Sequence, residues 1–211
     1  MANFGIGIPT LNRWDLLKEV AHKYLEDFKD IDIYIIDNGK QNIKQEVNNK
    51  NIIVHETDYN YGVAKSWNLL CNTIFQYNEN ALILNDDIYL GYGTDVVEEA
   101  IKKSKSGLVQ SEKNWSVICI NQNLFEMIGD FDEVFYPAYY EDSDYLYRMK
   151  LEGIRQDVDA TLNPLIFRAS QTYEKNPELV NEAMQNNRLR YIEKWGNSPL
   201  LETFTKPYNK P

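Results

Sequence analysis

Short apolar runs alternate with segments of helical periodicity in the first half of the chain, and this alternation restricts the fold most. The predicted strands are residues 4–8, 31–36, 52–55 and 81–84. Apolar residues at helical spacing occupy 16–25 and 63–77, between these runs. Repeated strand–helix–strand units form parallel crossovers, so the sequence predicts an α/β fold with a mostly parallel central sheet flanked by helices. Its ligand site is expected at the carboxyl ends of the strands.

The rest of the chain is less periodic. We expect a loop with one short helix at 38–50 and a glycine-containing turn at 90–94. A helix at 95–105, a strand at 116–120 and a late helix at 177–195 should follow. The whole chain, 1–211, is predicted to be one domain. Within it, residues of about 1–90 and about 91–200 form two halves, and 201–211 is expected to be a C-terminal arm.

Composition narrows the class of protein. The 43% hydrophobic and 26% charged residues are ordinary globular values. With 32 acids against 22 bases the formal charge is −10, which argues against nucleic acid as a partner. No leader or membrane-spanning segment is recognisable, and Cys71 and Cys119 lie outside any paired motif. We therefore expect a soluble cytoplasmic protein with two buried, reduced thiols.

The stretch ALILNDDIY carries the strongest functional signal. Four apolar residues run directly into Asn85, Asp86 and Asp87. Adjacent carboxylates repel each other, so they need a cation or hydrogen-bond donors to stay ionised together. The sequence therefore predicts a metal or ligand site beyond this strand.

Two other strand ends carry polar side chains. In IPTLNR, Pro9 is expected to end the strand and to expose Thr10 and Asn12. In IIDNG, Asp37 and Asn38 should face the same edge of the sheet, where an acid and an amide together can read a flat base.

A third loop and a later block complete the pattern. In NYGVAKSWN a glycine precedes a helix whose first turn, with Lys65, offers donors to a phosphate. In YYEDSDYLYR, three acids stand among aromatic residues that suit a sugar face, and one acid could serve as a general base. Together with the acidic strand end, these parts suit a nucleoside diphosphate and its metal.

The order of these motifs, with GDFDEVF between the last two, resembles that of the GT-A glycosyltransferases, especially the large inverting family 2. The late segment YIEKWG is similar to one found near the end of their catalytic domain. The compact size and composition also resemble the small glycosyltransferase domain encoded by large algal viruses. The resemblance spans most of the chain, and it depends on motif order and spacing because no single motif decides it.

The resemblance implies that about 1–90 is the nucleotide-binding half and about 91–200 the acceptor and catalytic half. It also implies a role for each matching residue. Asp87 matches the acid that binds Mn²⁺ or Mg²⁺, although Asn85 stands where the family has a first Asp. Asp142 matches the acceptor-activating base, with Glu141 beside it as a second catalytic acid. The predicted nucleotide-binding residues are Pro9, Thr10, Asn12, Asp37, Asn38, Lys65, Asn85 and Asp86. The predicted acceptor- or sugar-binding residues are Tyr139, Tyr140 and Asp144.

The expected activity is therefore transfer of a sugar from a nucleotide donor, a UDP-sugar first, to a hydroxyl of a glycan or glycoprotein. Many GT-A proteins also use a late histidine as a metal ligand, whereas this chain has only His22 and His55. Inverting and retaining mechanisms therefore both stay open. A metal-dependent nucleotidyltransferase or phosphate hydrolase, and a degenerate GT-A binding module, are the alternatives.

Structural explanations compete with these roles. Thr10 and Asn12 are common helix caps, and Asp37-Asn38-Gly39 is a common turn. Glu141 and Asp144 can cap a helix or pair with Arg148. The remaining residues for which a structural role is the alternative are Lys65 on a solvated helix face, and Trp67 and Trp115 in the core.

Overall fold

The computed structural model describes residues 3–167 and 177–210. Its strands are β1 (Phe4–Thr10), β2 (Ile33–Asp37), β3 (Ile52–Glu56), β4 (Asn80–Leu84), β5 (Ile88–Tyr89), β6 (Leu108–Gln110), β7 (Val117–Asn121), β8 (Asp157–Val158) and β9 (Ile166–Phe167). Its α-helices are α1 (Trp14–Asp27), α2 (Ile43–Glu46), α3 (Gly62–Ile74), α4 (Thr94–Lys103), α5 (Gln122–Ile128), α6 (Glu141–Leu151) and α7 (Pro177–Trp195). Short 3₁₀ turns occupy Asn114–Ser116, Ala160–Leu162 and Pro207–Asn209.

Seven strands form the central sheet in the order β3-β2-β1-β4-β7-β6-β8. Only β7 runs antiparallel to its neighbours β4 and β6, so the predicted α/β fold with a mostly parallel sheet is confirmed. The chain moves from β1 to β2 and β3 on one side, then returns to place β4 on the other side of β1. The boundary between β1 and β4 is therefore a topological switch point, where open α/β sheets bind ligands.

Helices cover both faces of the sheet because alternate side chains of each strand point to opposite faces. In β4, Leu82 and Leu84 pack into one core with α1 and α4, whereas Ala81 and Ile83 pack into the other with α3, α5 and α6. The second core is rich in aromatic residues, and the stacked rings of Trp67 and Trp115 lie 5.7 Å apart between centroids. Both tryptophans are buried, as the core interpretation predicted.

A smaller cluster joins α6 to α7 and to the C-terminal segment. Its buried members are Phe135, Tyr147, Tyr191 and Trp195. The backbone N–H groups of Thr203 and Phe204 donate to the Trp195 carbonyl, and the Tyr147 hydroxyl donates to the Phe204 carbonyl. Residues after α7 therefore pack back against the domain. Among the described helices, none is both long and apolar enough to cross a membrane.

Most predicted elements are present, with shifted ends. The short helix expected in 38–50 is α2, and the strand expected at 31–36 starts only at Ile33.

The expectation that Pro9 ends β1 is wrong, because the strand continues to Thr10. Successive residues of a strand direct their backbone groups alternately toward its two neighbours. The Ile6 N–H donates to the Asp32 carbonyl on the β2 side, so the backbone of Pro9 faces the β4 side, where pairing stops at Gly7. Because β1 and β4 no longer pair at Pro9, the missing N–H of this proline removes no hydrogen bond between the strands.

Candidate functional site

The switch point collects polar side chains from three strand ends. Thr10 ends β1 beside Asp37, its register partner at the end of β2. Asn85, Asp86 and Asp87 follow β4, the other neighbour of β1. The Asn85 N–H donates to the Ser116 carbonyl, which fixes the start of this acidic turn. The predicted gathering of these residues at one sheet edge therefore follows from the strand order.

The two carboxyl groups after β4 are partly buried. Burial raises the pKa of Asp86 to about 6, with a smaller contribution from Asp87, while the Thr10 side chain and Arg13 act against the rise. Burial also raises the pKa of Asp87, opposed by its own backbone N–H and by Arg13. Arg13 is thus a positive charge beside both acids, and the sequence interpretation assigned it no role.

One oxygen of this pair lacks a partner. Asp87 Oδ1 is buried and accepts no hydrogen bond from any residue in 3–167 or 177–210. A buried carboxylate oxygen without a donor is unfavourable unless a cation or ligand satisfies it. The oxygen therefore fits a hard divalent cation such as Mn²⁺ or Mg²⁺.

The same residues do not make a complete metal cage. Within the described ranges, no group of three or more His, Cys, Asp or Glu side chains could hold an ion. Mg²⁺ in phosphate-binding sites commonly uses one or two carboxylates together with substrate phosphates and water. Asp86 and Asp87 match that kind of donor set, in which the nucleotide supplies the remaining oxygens.

Asp37 is fully buried and organises the loop after β2. Its carboxylate accepts hydrogen bonds from the N–H of Gly39 at 3.0 Å, the N–H of Gln41 at 2.8 Å and the Gln41 side-chain amide at 3.0 Å. The Gln41 Oε1 atom in turn accepts from the N–H of Trp14 at 2.6 Å. Asp37 therefore forms the predicted turn and ties it to the start of α1.

The alternative interpretation, in which Thr10 or Asn12 caps α1, is wrong, and this link supplies the reason. The helix is preceded by Arg13, which makes no side-chain capping bond, and Asn12 has a left-handed backbone with φ +57°. Gln41 reaches the helix start from the next loop, so a local cap is unnecessary. A side chain at Gly39 would lie 2.8 Å from the Asn12 nitrogen, so the two loops are in close contact.

Asn38 and Lys65 connect the β2 edge to the start of α3. The Asn38 side chain donates to Ser66 Oγ and accepts from the N–H of Tyr61, both at 2.9 Å. Lys65 Nζ donates to the Tyr59 hydroxyl at 2.9 Å and lies 4.2 Å from the centre of the Tyr61 ring. The hydrogen bond from Lys65 to Tyr59 raises the Lys65 pKa, so its ammonium charge is retained. Their nucleotide contacts stay predictions.

A second acidic pair lies at the start of α6. Tyr139 and Tyr140 both have left-handed backbones, with φ +75° and +77°, and the helix begins immediately after them. Glu141 is 5% exposed, and its Oε2 atom has no partner within the described part of the chain. Burial and the neighbouring Asp142 raise the Glu141 pKa well above its ordinary value. Burial also raises the Asp142 pKa, although Ser143 donates two hydrogen bonds to Oδ1.

Asp144, one turn into the same helix, is different. Its carboxylate is fully buried and contacts Arg148 Nε at 2.9 Å, Trp195 Nε1 at 2.8 Å and Lys194 Nζ at 2.5 Å. The predicted ion pair with Arg148 is confirmed. These partners favour the structural interpretation of Asp144 over the predicted sugar contact.

An aromatic layer connects the two acidic regions. Tyr145 of α6 stacks on Phe131 at 4.3 Å between ring centroids, and its ring also contacts the edge of Trp115. Trp115 directly precedes Ser116, the residue that accepts the hydrogen bond from Asn85. The helix that carries Glu141 and Asp142 is therefore packed on the segment that supports the β4 acids.

No family model matches the sequence, and no curated protein matches it significantly in sequence. Solved structures do match the fold. A mannosyltransferase from Pyrobaculum calidifontis, PcManGT, in complex with GDP-Man and Mn²⁺, superposes with a TM-score of 0.63 and 13% identity over 93% of this chain and 66% of that chain. GalNAc-T7 with UDP, GalNAc and Mn²⁺ gives a TM-score of 0.66 and 11% identity over 92% of this chain and 48% of that chain.

The chain has the GT-A fold. At these identities the similarity concerns the fold, and this chain spans about half to two thirds of the length of the two structures. Sequence reasoning missed Arg13, Gln41 and Ser66 as residues that help to build this candidate site. Their only local signal was a polar side chain in or next to a strand-end loop.

Proposed function

We propose that this protein is a glycosyltransferase that moves a sugar from a nucleoside diphosphate sugar to an acceptor hydroxyl. The observation that carries the proposal is the buried Asp87 Oδ1 atom, which has no partner among the described residues and lies beside a second acid at the switch point of a GT-A sheet. A site with this chemistry suits a divalent cation that also contacts a diphosphate. Both similar structures were solved with Mn²⁺ and with a nucleotide or nucleotide sugar, which supports the proposal.

In the donor half, Asp87 would hold Mn²⁺ or Mg²⁺, and Asp86 would contact the ion or the ribose. Such an ion supplies positive charge where the leaving diphosphate develops negative charge. The strand ends that carry Thr10, Asp37 and Asn38 would receive the base, and these buried side chains would shape the loops that contact it. A UDP-sugar is the first donor to test, and Lys65 would add a positive charge at the same edge.

In the acceptor half, Asp142 would take the proton of the attacking hydroxyl. The acceptor oxygen would form a bond to the anomeric carbon while the bond from that carbon to the diphosphate breaks, with inversion. The proton ends on Asp142 and the electron pair leaves with the diphosphate. Glu141, whose raised pKa favours the neutral acid, would hydrogen-bond to the sugar or acceptor from the same helix start. Tyr139 and Tyr140 would flank the sugar.

The test is a calorimetric titration of the purified protein with UDP, with and without Mn²⁺. We expect Mn²⁺-dependent binding that Asp87→Ala abolishes. The matched control is Asp32→Ala, an exposed aspartate at the opposite, amino end of β2, which should bind as the unmodified protein does. Unchanged metal-dependent affinity in Asp87→Ala would refute the metal assignment.

A degenerate binding module is the second candidate, and one observation favours it. Asn85 replaces a carboxylate at the first position, and the described residues offer no complete cage for a metal. Hydrolysis or transfer of a UDP-sugar by the pure protein would decide for the enzyme. Tight UDP binding without turnover of any donor in a panel would decide for the module.

A further inference from the structure

The loop that leads into α6, residues 134–140, is held from the α7 side by one buried amide. Asn187 has no exposed surface. Its Nδ2 atom donates to the carbonyl of Ala138 at 2.7 Å and to the carbonyl of Tyr139 at 3.2 Å. A fully buried amide that uses both donors on a loop backbone fixes the path of that loop.

The orientation of this amide is determined by a neighbour. Asn187 Oδ1 accepts from Arg190 Nη1 at 2.8 Å, and the same guanidinium nitrogen donates to the Val134 carbonyl at 2.9 Å. Because arginine can only donate, the oxygen of Asn187 must face Arg190 and the nitrogen must face the loop. The hydrogen bonds that hold the loop therefore require one orientation of the Asn187 amide.

The opposite side of the loop is held by the start of α3. The N–H of Val63 donates to the Pro137 carbonyl at 2.8 Å. A Cβ atom at Gly62, which has φ +75°, would lie 2.7 Å from the same carbonyl oxygen. The loop is thus enclosed between α3 and α7, with no room for a larger residue at the α3 contact.

This enclosure matters because the loop ends in two strained residues. Tyr139 and Tyr140 both have positive φ, which is unfavourable for residues other than glycine and persists only where the surroundings impose it. Asn187 holds the carbonyl of the first, and the carbonyl of the second accepts from the N–H of Asp144 at 2.9 Å. The strained pair turns the chain into α6, where Glu141 is buried and its Oε2 atom has no partner within 3–167 and 177–210.

We propose that Asn187 is a positioning residue for the acid pair Glu141 and Asp142. It acts through the carbonyls of Ala138 and Tyr139, by holding the left-handed turn that sets the first turn of α6. The inference rests on the proposed transferase function for its kinetic consequence. Its structural consequence, the environment of Glu141, can be measured without any activity.

The test compares Asn187→Leu with Asn186→Leu. Leucine has the same branching at Cγ and the same number of side-chain heavy atoms as asparagine, but it is larger and donates no hydrogen bond. Asn186 is the exposed neighbour on the same helix, and its substitution by leucine is the control. With a UDP-sugar and Mn²⁺, we expect Asn187→Leu to lower kcat by about 100-fold through misplacement of the reacting groups, with less than about a twofold change in donor KM. Calorimetric UDP stoichiometry counts the folded molecules, so loss of folded protein cannot imitate this result.

Carboxyl carbon NMR of Glu141 gives the second readout. We expect the Glu141 pKa to fall toward its ordinary value in Asn187→Leu and to stay raised in Asn186→Leu. If Asn187→Leu does not fold, Arg190→Met, which removes the donor that orients Asn187, should shift the Glu141 pKa in the same direction by less. An unchanged Glu141 pKa in the folded variant overturns the inference.

The two proposals fail in different ways. If the unmodified protein neither binds UDP with Mn²⁺ nor turns over a donor, the transferase proposal fails, while the Glu141 titration still decides the role of Asn187. If turnover is normal in Asn187→Leu, the positioning role is refuted and the transferase proposal stands.

Discussion

The end of β4 and the start of α6 each carry two adjacent acids, but the protein builds the two sites differently. Asp86 and Asp87 follow a strand that is held in place by backbone pairing with both of its neighbours. Glu141 and Asp142 follow a strained loop that depends on contacts from α3 and α7. The strand-end site is therefore a local product of the sheet, whereas the helix-start site is assembled from distant segments.

The same comparison separates acids with partners from acids without them. Asp37 and Asp144 are buried, and each contacts three protein donors. Asp87 and Glu141 each keep a buried oxygen that has no donor in the described ranges. Because an unsatisfied buried acceptor is costly, the second kind is where a ligand is expected. Burial alone would not have distinguished the two kinds.

The largest expected effect tests whether the helix-start pair performs chemistry. Asp142→Asn keeps the shape of the side chain but removes the base, so we expect transfer from a UDP-sugar to slow by about 100- to 10,000-fold. Mn²⁺-dependent UDP affinity should be retained, because the proposed donor site lies at the strand ends. Steady-state kinetics with calorimetry measures both quantities, and near-normal transfer would refute the assignment of Asp142 as base.

The next effect tests the distinction between Asp142 and Asp144 on one helix. Asp144→Asn leaves Lys194 and Arg148 without their buried partner, so we expect the free energy of unfolding to fall by about 3 kcal/mol. Urea denaturation measures this fall, with the exposed Asp130→Asn as the matched control. Loss of transfer per folded molecule without loss of stability would instead restore the sugar-contact role of Asp144.

The smallest effect tests the unpartnered oxygen of Glu141. Its pKa is raised in the folded protein, so the folded state binds the proton more tightly than the unfolded state, whose reference value is 4.5. Stability should therefore fall as pH rises from about 4.5 through the raised folded pKa. Glu141→Gln cannot ionise, so we expect it to remove this part of the fall.

Urea denaturation at a series of pH values measures the difference. The exposed Glu98→Gln is the control and should keep the pH dependence of the unmodified protein. Equal curves for the two variants would mean that Glu141 ionises freely, and the contrast between partnered and unpartnered acids would not extend to α6.

The alternation of apolar runs and helical segments was enough to predict the fold class and the gathering of acids at one sheet edge. That information is local, because a strand end and the residues after it are contiguous in sequence. The helices α5 and α6 were not predicted, since their positions depend on packing against the aromatic core. Pro9 was misjudged because its effect depends on which neighbouring strand its backbone faces.

The sequence by itself identified candidate residues for contacts with a nucleotide, a metal and a transferred proton, because side-chain chemistry and strand-end spacing can be read from it. Only the tertiary structure decided which of these side chains are already hydrogen-bonded to other parts of the protein. Asp144 forms an ion pair with Lys194 and a hydrogen bond with Trp195, both on α7, and Asn187 of the same helix donates to the loop before α6. Hydrogen-bond partners of buried groups come from segments far apart in the chain, and folding alone brings them within reach.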